Sequence, residues 1–383
     1  MVDKNNNGVL DSGEYRKVAS YTSGADRHEF FFGLLYKDGY FYGAQSLSLL
    51  TGGTAAVPQP NQNRGTYVKI EKKTGKTEFI SGGAREPFGL VMNPSGEMFS
   101  TEVQGTWNPA CAFTQVRPGR FYGHPQAQQV PPNLFDIMPY NPPAVQLPQP
   151  EIANAPGQPV YISSGIFKDQ YFYGDESYGG IQRVFLEKVE GEYQGAVFRF
   201  SAGFTGGVSR LAWVANGDLI VGQIGDEGGG NWLELGKQAY GLQKLKPNGK
   251  TAFEMLSIRS RPKGMEIEFT EPVAANANLA ANYQVKSWYY VRAKDYGGPK
   301  MDPKTLTITS VQVSPDNHKV YFQVTVAGGY RLEMRDSRGT IQRVFRGRGT
   351  GMQALEAAGV ARGNYIVTLS SEGRTLSRPL AVY

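Results

Sequence analysis

The chain has 383 residues, which is long enough for two or three domains that each bury a core of their own. It contains 48 glycines and 23 prolines, 12% of its residues are aromatic and only 19% are charged, so many short strands joined by tight turns are expected and long amphipathic helices are not supported. The formal net charge of +6 is concentrated in arginines between positions 331 and 348 that alternate with strand residues, which favours solvated strand faces over a nucleic-acid partner.

The single cysteine, Cys111, excludes an internal disulfide framework and a cysteine-based metal site. No apolar run is long enough to cross a membrane, so we expect no membrane span. Met1 is followed by a polar loop and not by the basic and apolar stretches of an export signal. We therefore expect either a cytosolic protein or a chain whose natural start has been lost.

The first predicted element is a calcium loop in a lead-in segment, residues 1–28. Residues 3–14, DKNNNGVLDSGE, fit the twelve positions of a calcium-binding loop one by one, with Gly8 at the sharp turn. No helix pattern precedes this loop, so we expect a bound calcium between strands; the alternative is an Asn- and Asp-rich turn without an ion. The predicted ligands are the side chains of Asp3, Asn5, Asn7, Asp11 and Glu14 and the carbonyl of Val9.

Residues 29–262 are predicted to form about four blades of a β-propeller. Leu90–Gly105 and Leu211–Asp226 align without a gap as apolar strand, Asn/Gly turn and apolar strand. Gly39–Gly43 and Gln170–Gly174 share a shorter pattern, an alternating aromatic strand closed by glycine. Units spaced by roughly 50 to 70 residues are typical of propeller blades, and we expect an open arc because a ring of six would need about two more. A β-sandwich with coincidental hairpins is the alternative.

Each blade also needs outer strands. We predict them at Thr66–Ile70 with Lys76–Ile80, at Gln182–Leu186 with Ala196–Phe200, and at Leu242–Leu245 with Thr251–Leu256. The proline-rich stretch Pro125–Pro159 has neither a strand nor a helix period, so it is predicted to be a long loop that crosses the propeller face.

The pattern changes after Lys263. Residues 263–328 are predicted to form a small immunoglobulin-like sandwich, and residues 329–383 contain at least four short strands separated by turns. Gly351–Gly359 is the one stretch with helical character, and it is too short to be stable without tertiary support. The predicted fold is therefore all-β, a partial β-propeller followed by small immunoglobulin-like β-sandwich modules.

Polar residues that follow the inner strands are expected at the mouth of the propeller channel, the usual place for a ligand. Arg85 and Arg210 come just before inner strands and could reach the same mouth. Such carboxylates, amides and guanidinium groups suit calcium, a carboxylated cofactor or a sugar; the alternative is hydrogen bonding between blades. The predicted mouth residues are Gln45, Glu102, Gln104, Asp175, Glu176, Gln223 and Asp226.

The chain has three histidines, and a general base that works near neutral pH is most readily a histidine. His28 and His124 are therefore the candidate catalytic residues, with a surface or packing role as the favoured alternative for each. The sequence has no Gly-x-Ser-x-Gly elbow, phosphate loop or paired-histidine metal helix.

Residues 30–260 resemble the later blades of the soluble quinoprotein glucose/sorbosone dehydrogenases. The residues that carry this resemblance are REPFGL at 85–90, GE at 96–97, TE at 101–102 and QG at 104–105. The resemblance implies that Arg85 contacts a pyrroloquinoline quinone and that carbonyls at Gly105 and Thr106 coordinate calcium. It also implies that Gln104, Arg210 and Gln223 lie around the same cofactor.

Two departures from that family bear on activity. Glu86 stands where the dehydrogenases have a cofactor-binding asparagine, and the early-blade segment that carries the family's catalytic histidine is expected to lie upstream of Met1. If the chain is an enzyme, the resemblance implies a quinone-dependent sugar dehydrogenase.

The tail, residues 330–383, resembles the C-terminal sorting domains of the type nine (Por) secretion system. The matching elements are LEMRD at 332–336, GNYIV at 363–367 and SRPLAV at 377–382. This resemblance implies export to the medium or the cell surface with the secretion machinery as a partner. Two functions follow. One is an exported, truncated propeller related to quinone-dependent sugar dehydrogenases that binds calcium and a carbohydrate or quinone at its mouth. The alternative is a non-catalytic surface protein that binds polysaccharide or protein.

Overall fold

The computed structural model describes residues 3–22, 24, 28–126, 141–177, 179–225, 240–325, 329–348, 360–361, 363–371 and 374–382. The chain forms two compact units. One comprises Met1–Lys250 with Arg292–Gly298, and the other comprises Thr251–Val291 with Pro299–Tyr383. The only helical turns among the described residues are short 3-10 segments at Ser12–Glu14, Ala275–Asn278 and Ala280–Asn282, so the all-β prediction is confirmed.

The first unit is a partial β-propeller in which each sheet is an antiparallel meander with its strands in chain order. The first sheet has β1 (Phe31–Lys37), β2 (Tyr40–Gln45), β3 (Thr66–Glu71) and β4 (Thr77–Gly82). The second has β5 (Pro87–Met92), β6 (Met98–Glu102), β7 (Cys111–Val116) and β8 (Val145–Leu147). The third has β9 (Val160–Tyr161), β10 (Tyr171–Gly174), β11 (Ile181–Val189) and β12 (Glu192–Ser201). The fourth, within the described residues, has β13 (Gly207–Trp213), β14 (Leu219–Ile224) and β15 (Tyr240–Leu245).

Neighbouring sheets of this unit bury apolar side chains between them. Every residue of β6 and β7 is buried, because the second sheet has another sheet on each face. By contrast, Leu34 of β1 and Leu242 of β15 are 53% and 76% exposed. Buried inner sheets and exposed end sheets are the pattern that an open arc predicts.

The repeats seen in the sequence occupy equivalent places in the blades. Leu90–Gly105 and Leu211–Asp226 contain the first hairpins of the second and fourth sheets, and Asp226 itself lies outside the described residues. Gly39–Gly43 and Gln170–Gly174 are the second strands of the first and third sheets. The outer-strand pairs of the first and third sheets are also confirmed.

Two strand predictions differ from the structure. The stretch Pro125–Pro159 includes β8, which pairs with β7 as the outermost strand of the second sheet, so it is not entirely a loop. Thr251–Leu256 does not close the fourth sheet. Instead, β16 (Met255–Arg261) pairs across a tight turn with β17 (Gly264–Phe269) in the second unit, because hydrogen bonding to the adjacent strand needs no long connection.

Among the described residues, the second unit has three antiparallel sheets. One has the order β16, β17, β21 (Lys319–Val324), β20 (Ile308–Val313), and β18 (Val285–Tyr289) pairs with β19 (Met301–Leu306). Val285 and Leu306 pack against a core around Phe322, so these two sheets share apolar side chains. The third sheet has the order β23 (Ile341–Arg348), β22 (Gly329–Asp336), β24 (Gly363–Ser371), β25 (Arg374–Val382), which agrees with the four strands predicted for the tail.

None of the helical segments among the described residues has the length and hydropathy of a membrane-crossing helix. The predicted helical stretch Gly351–Gly359 lies outside the described residues.

Phe99 tests the packing between the second and third blades. Its ring is fully buried and lies 5.6 Å from Phe113 of its own sheet and 5.2 Å from Tyr171 of the next. We expect Phe99→Ala to cost about 3–5 kcal/mol of unfolding free energy, because the cavity lies between two sheets that cannot collapse onto it. Thermal unfolding should show a midpoint lower by roughly 10 °C. The control Leu34→Ala, at an exposed position, should change the unfolding midpoint little. Equal shifts of the midpoint in the two variants would contradict this packing.

Candidate functional site

A cleft in the first unit lies at the beginnings of β1, β5 and β13, which are the first and innermost strands of the first, second and fourth blades. Its volume is about 1400 Å³, including the open mouth. The first blade contributes Phe32, the second Phe88, and the fourth Arg210, so residues from the first and last described blades line one space. The aromatic residues of the lining are Phe30, Phe32, Phe88 and Tyr296, and the charged or titratable ones are His28, Arg85, Glu86, Glu176 and Arg210.

Arg85 is fully buried at the floor of this cleft. Its Nη1 donates to Oε2 of Glu86 over 3.0 Å, and its Nη2 donates to the carbonyl of Gly53. The other oxygen of Glu86 lies 3.4 Å from Nε2 of His28. Glu86 therefore joins the arginine to the histidine. A buried guanidinium needs such a partner, because an unpaired charge in a buried site is strongly destabilising.

The segment Arg292–Gly298 closes the site above Arg85. The Tyr296 ring centre is 5.2 Å from Cζ of Arg85, a cation–π arrangement. The backbone holds the segment in place: the N–H of Gly297 donates to the carbonyl of Gly105 over 3.1 Å, and the N–H of Trp107 donates to the carbonyl of Ala293 over 2.7 Å. The position that a ligand of Arg85 would take is thus filled by a tyrosine of the same chain.

Gly105 passes directly beside the Arg85 guanidinium. A Cβ at this position would overlap Nε and Cζ of Arg85, so only glycine permits the approach. The Gly105 carbonyl accepts hydrogen bonds from the N–H of Asn108 and from that of Gly297. Both of its lone-pair directions are therefore engaged, which leaves it unsuited to coordinate calcium. Thr106 pairs with Tyr296 in an antiparallel bridge.

Glu176 and Arg210 form the opposite side of the cleft. Cζ of Arg210 lies 5.4 Å from the ring centre of Phe88, and its Nη1 donates to the carbonyl of Ser209 over 3.0 Å. Glu176 is buried, and burial raises the pKa of its carboxyl to about 7 although Ser209 and Arg210 act to lower it. The Glu176 carboxyl is therefore partly protonated near neutral pH.

His124 is fully buried and does not line the cleft. The N–H of Gln126 donates to Nδ1, so the proton is on Nε2, which donates to the hydroxyl of Thr106 over 3.1 Å. Burial and the charges of Arg85 and Arg292 lower the pKa of His124 to about 3. His124 therefore stays neutral near neutral pH and does not reach the open cleft. His28 does border the cleft, through its contact with Glu86.

Three of the other predicted mouth residues, Glu102, Asp175 and Gln223, accept or donate hydrogen bonds within the unit. Oε1 of Gln223 accepts from the hydroxyl of Thr205 and from the N–H of Gly206, while its Nε2 donates to Gln243. Asp175 accepts backbone N–H groups on both carboxylate oxygens. Gln45, Glu102 and Gln104 are buried outside the cleft lining, and burial raises the pKa of Glu102. The side chains of Glu102, Asp175 and Gln223 thus connect strands and loops within the unit.

Hydrogen bonds within the predicted calcium loop hold its two ends together. The carboxylate of Glu14 accepts from the N–H of Lys4 over 2.6 Å and from that of Asp11 over 3.0 Å, which brings the two ends of the loop together. These hydrogen bonds lower the pKa of Glu14. The oxygens of Asp3 accept from the N–H groups of Asn7 and Gly8, and Gly8 has φ +78°, as its turn position requires. Among the described residues, no three acidic, histidine or cysteine side chains are close enough to hold a metal by themselves.

Sequence reasoning missed the aromatic part of the cleft. Phe30, Phe32 and Phe88 stand at the beginnings of the inner strands, so their positions in the strand pattern could have placed them at the mouth. Tyr296 had no such signal, because it comes from a segment that the pattern assigns to another module. Glu86 is a departure from the family motif in the sequence, but no sequence pattern indicates its ion pair with Arg85.

No protein-family model matches the chain, and no curated protein matches it either. Solved structures similar to it include a putative glucose dehydrogenase of Thermus thermophilus (18% identity, TM-score 0.35, covering 48% of this chain and 55% of that one). A glucose dehydrogenase is 16% identical with a TM-score of 0.38, and the match covers 55% of this chain and 62% of that one. The PQQ-bound aldose sugar dehydrogenase of Streptomyces coelicolor is 17% identical with a TM-score of 0.37, and the match covers 50% of this chain and 56% of that one. The chain thus spans little more than half the length of these proteins. Because each TM-score is below 0.5, neither the fold nor the activity of this chain is inferred from them.

Replacing Glu176 should change how stability depends on pH. Its pKa in the folded protein, about 7, is above its usual 4.5, so the folded state binds more protons between these values and loses stability as the pH rises through them. Between pH 5 and pH 8, the free energy of unfolding of Glu176→Gln should rise relative to that of the wild type by up to on the order of 3 kcal/mol. Thermal melts at both pH values measure this. The exposed control Glu78→Gln should show no such gain, and a parallel response of the two variants would contradict the assignment.

Proposed function

We propose that the protein binds carbohydrate in the cleft of its first unit and does not oxidise it. The observation that carries this proposal is the state of Arg85: it is fully buried, paired with Glu86 and covered by Tyr296. The residue that the family resemblance assigns to a quinone is therefore engaged within the chain, while the rest of the cleft remains open.

The residues do not fit pyrroloquinoline quinone. The Gly105 carbonyl, assigned to a calcium beside the cofactor, already accepts two N–H groups, and Glu86 adds a negative charge where an anionic quinone would lie. One buried nitrogen, Nε of Arg85, has no acceptor among the described residues, but it faces Gly105 and not the open cleft. We accordingly assign no redox step to this site.

The lining of the open cleft suits a sugar. Sugar rings present C–H groups that pack on aromatic faces, which Phe30, Phe32 and Phe88 supply. Their hydroxyl groups pair with carboxylates and guanidinium groups, which Glu176 and Arg210 supply. A few polar groups converging on a mostly aromatic surface are typical of small-molecule sites.

Binding and turnover can be tested separately. We expect isothermal titration with mixed plant and bacterial oligosaccharides to detect at least one ligand, and Phe88→Ala to weaken it about tenfold or more, since an aromatic platform is lost. The matched control Phe253→Ala, an exposed aromatic of the second unit, should bind normally. Dye reduction should stay at the level of free quinone when calcium, quinone and aldoses are added. Steady reduction above that level would favour the dehydrogenase hypothesis, and an absence of any saccharide binding would refute the proposal.

We also propose that the protein is exported and that its tail directs the export. The tail forms a four-stranded antiparallel sheet, and this all-β structure agrees with the proposal. The sequence elements that resemble type nine sorting domains supply the rest, and attachment or secretion would place the propeller where polysaccharides occur.

We further propose that the loop of residues 3–14 binds calcium. Its closed form and its set of carboxylate, amide and carbonyl oxygens suit that ion. Calcium should raise the melting temperature of the wild type, and a chelator should reverse the rise, because an ion that binds only the folded state stabilises it.

Glu14→Gln should abolish most of this calcium-dependent shift, since it removes one charge and one bidentate ligand. Glu190→Gln, an exposed acid in the turn between β11 and β12, is the matched control and should keep the full shift. Differential scanning fluorimetry with and without chelator measures all three proteins. An identical melting temperature for the wild type in calcium and in chelator would show that the loop is only a turn.

A further inference from the structure

We propose that the ligand of the cleft carries a carboxylate, as a uronic acid does, and that Arg210 binds this carboxylate. The inference rests on the proposed carbohydrate-binding function and names the class of sugar. It depends on the different environments of the two arginines that line the same cleft.

Arg85 cannot recognise the ligand's charge. It is fully buried, its guanidinium donates to Glu86 and to the carbonyl of Gly53, and Tyr296 lies over it. Its charge is balanced within the floor of the cleft.

Arg210 is exposed and lies on β13 at the cleft wall. Among the described residues it has no carboxylate within ion-pair distance, and its hydrogen bonds use Nη1, which donates to the carbonyl of Ser209. The Phe88 ring beneath it restricts the orientation of the guanidinium plane. Nε and Nη2 remain as donors. A planar guanidinium with two donors available matches the two oxygens of a carboxylate.

The ring of a uronic acid carries its carboxylate on one side and C–H groups on its faces. A carboxylate on Arg210 would leave the sugar ring beside Phe88 and Phe32, the aromatic residues at the beginnings of the neighbouring inner strands. A neutral sugar would leave the charge of Arg210 unused, whereas a simple anion would leave the aromatic wall uncovered.

Glu176 adds a pH dependence to this site. The groups that act on it are Ser209, Arg210, Asp175 and Glu86, and its own burial has the largest effect. Below pH 7 its carboxyl becomes neutral, so it no longer repels an anionic ligand and can donate a hydrogen bond to it. Uronate affinity should therefore rise from pH 8 to pH 6.

The test compares a tri-galacturonate with the neutral galactose trimer of the same linkage by isothermal titration at pH 6 and pH 8. We expect the wild type to prefer the uronate at least tenfold at pH 6. Arg210→Gln should reduce this preference to near one, and the change is at an exposed side chain, so the melting temperature should be kept. Arg117→Gln, an exposed arginine paired with Glu192 outside the cleft, is the matched control and should keep the preference.

Three results would overturn the inference. They are equal wild-type affinity for the two trimers, a preference that survives in Arg210→Gln, and acetate binding as tight as that of the uronate. The first two leave sugar binding intact, so they separate this inference from the proposed function. If neither trimer nor any other saccharide binds at either pH, the proposed function itself fails, and the inference with it.

Discussion

The ion pair between Arg85 and Glu86 is the constraint on which the rest of the cleft depends. A guanidinium with almost no exposed surface must be neutralised and hydrogen-bonded where it lies, because its desolvation is not recovered otherwise. Glu86 supplies the charge and Gly53 a carbonyl. The backbone of Arg85 is tied down as well: its carbonyl accepts from Leu47 and its N–H donates to Glu102. One residue thereby joins the first blade to the second at the floor of the cleft.

Several features that look functional in the sequence follow from this buried charge. Gly105 is required because any side chain would meet the guanidinium. His124 stays neutral because it is buried and because Arg85 and Arg292 place positive charge near it. A histidine in that setting cannot exchange protons near neutral pH, so its place in the packing explains it without a catalytic role. In this chain, residues of that motif hold the buried charge of Arg85, which pairs with Glu86 and lies under the Tyr296 ring.

The sequence allowed the blades to be predicted because their hairpins repeat a period-two pattern with Gly turns, and such local patterns determine which face of a strand is buried. It did not reveal β8, a three-residue strand within a proline-rich stretch, because an outer strand that short has no pattern of its own. The contact between Tyr296 and Arg85 was also invisible, since it joins residues about 200 positions apart and nothing local marks either as a partner. The strand pattern could place Arg85 and Arg210 at the beginnings of the inner strands, but it could not reveal the residues that they contact.

The same ion pair decides which arginine is left for a ligand. With asparagine in place of Glu86, the floor of the cleft would carry an unbalanced positive charge, and an anion would be drawn to Arg85. With glutamate there, that charge is balanced, and the net positive charge of the cleft shifts to Arg210 on the opposite wall. Glu176 then modulates this charge, because its carboxyl, with a pKa of about 7, is partly neutral near neutral pH. If the cleft binds an anionic sugar as proposed, the glutamate at position 86 leaves Arg210 of the fourth blade, beside the Phe88 ring, as the arginine that would bind its charge.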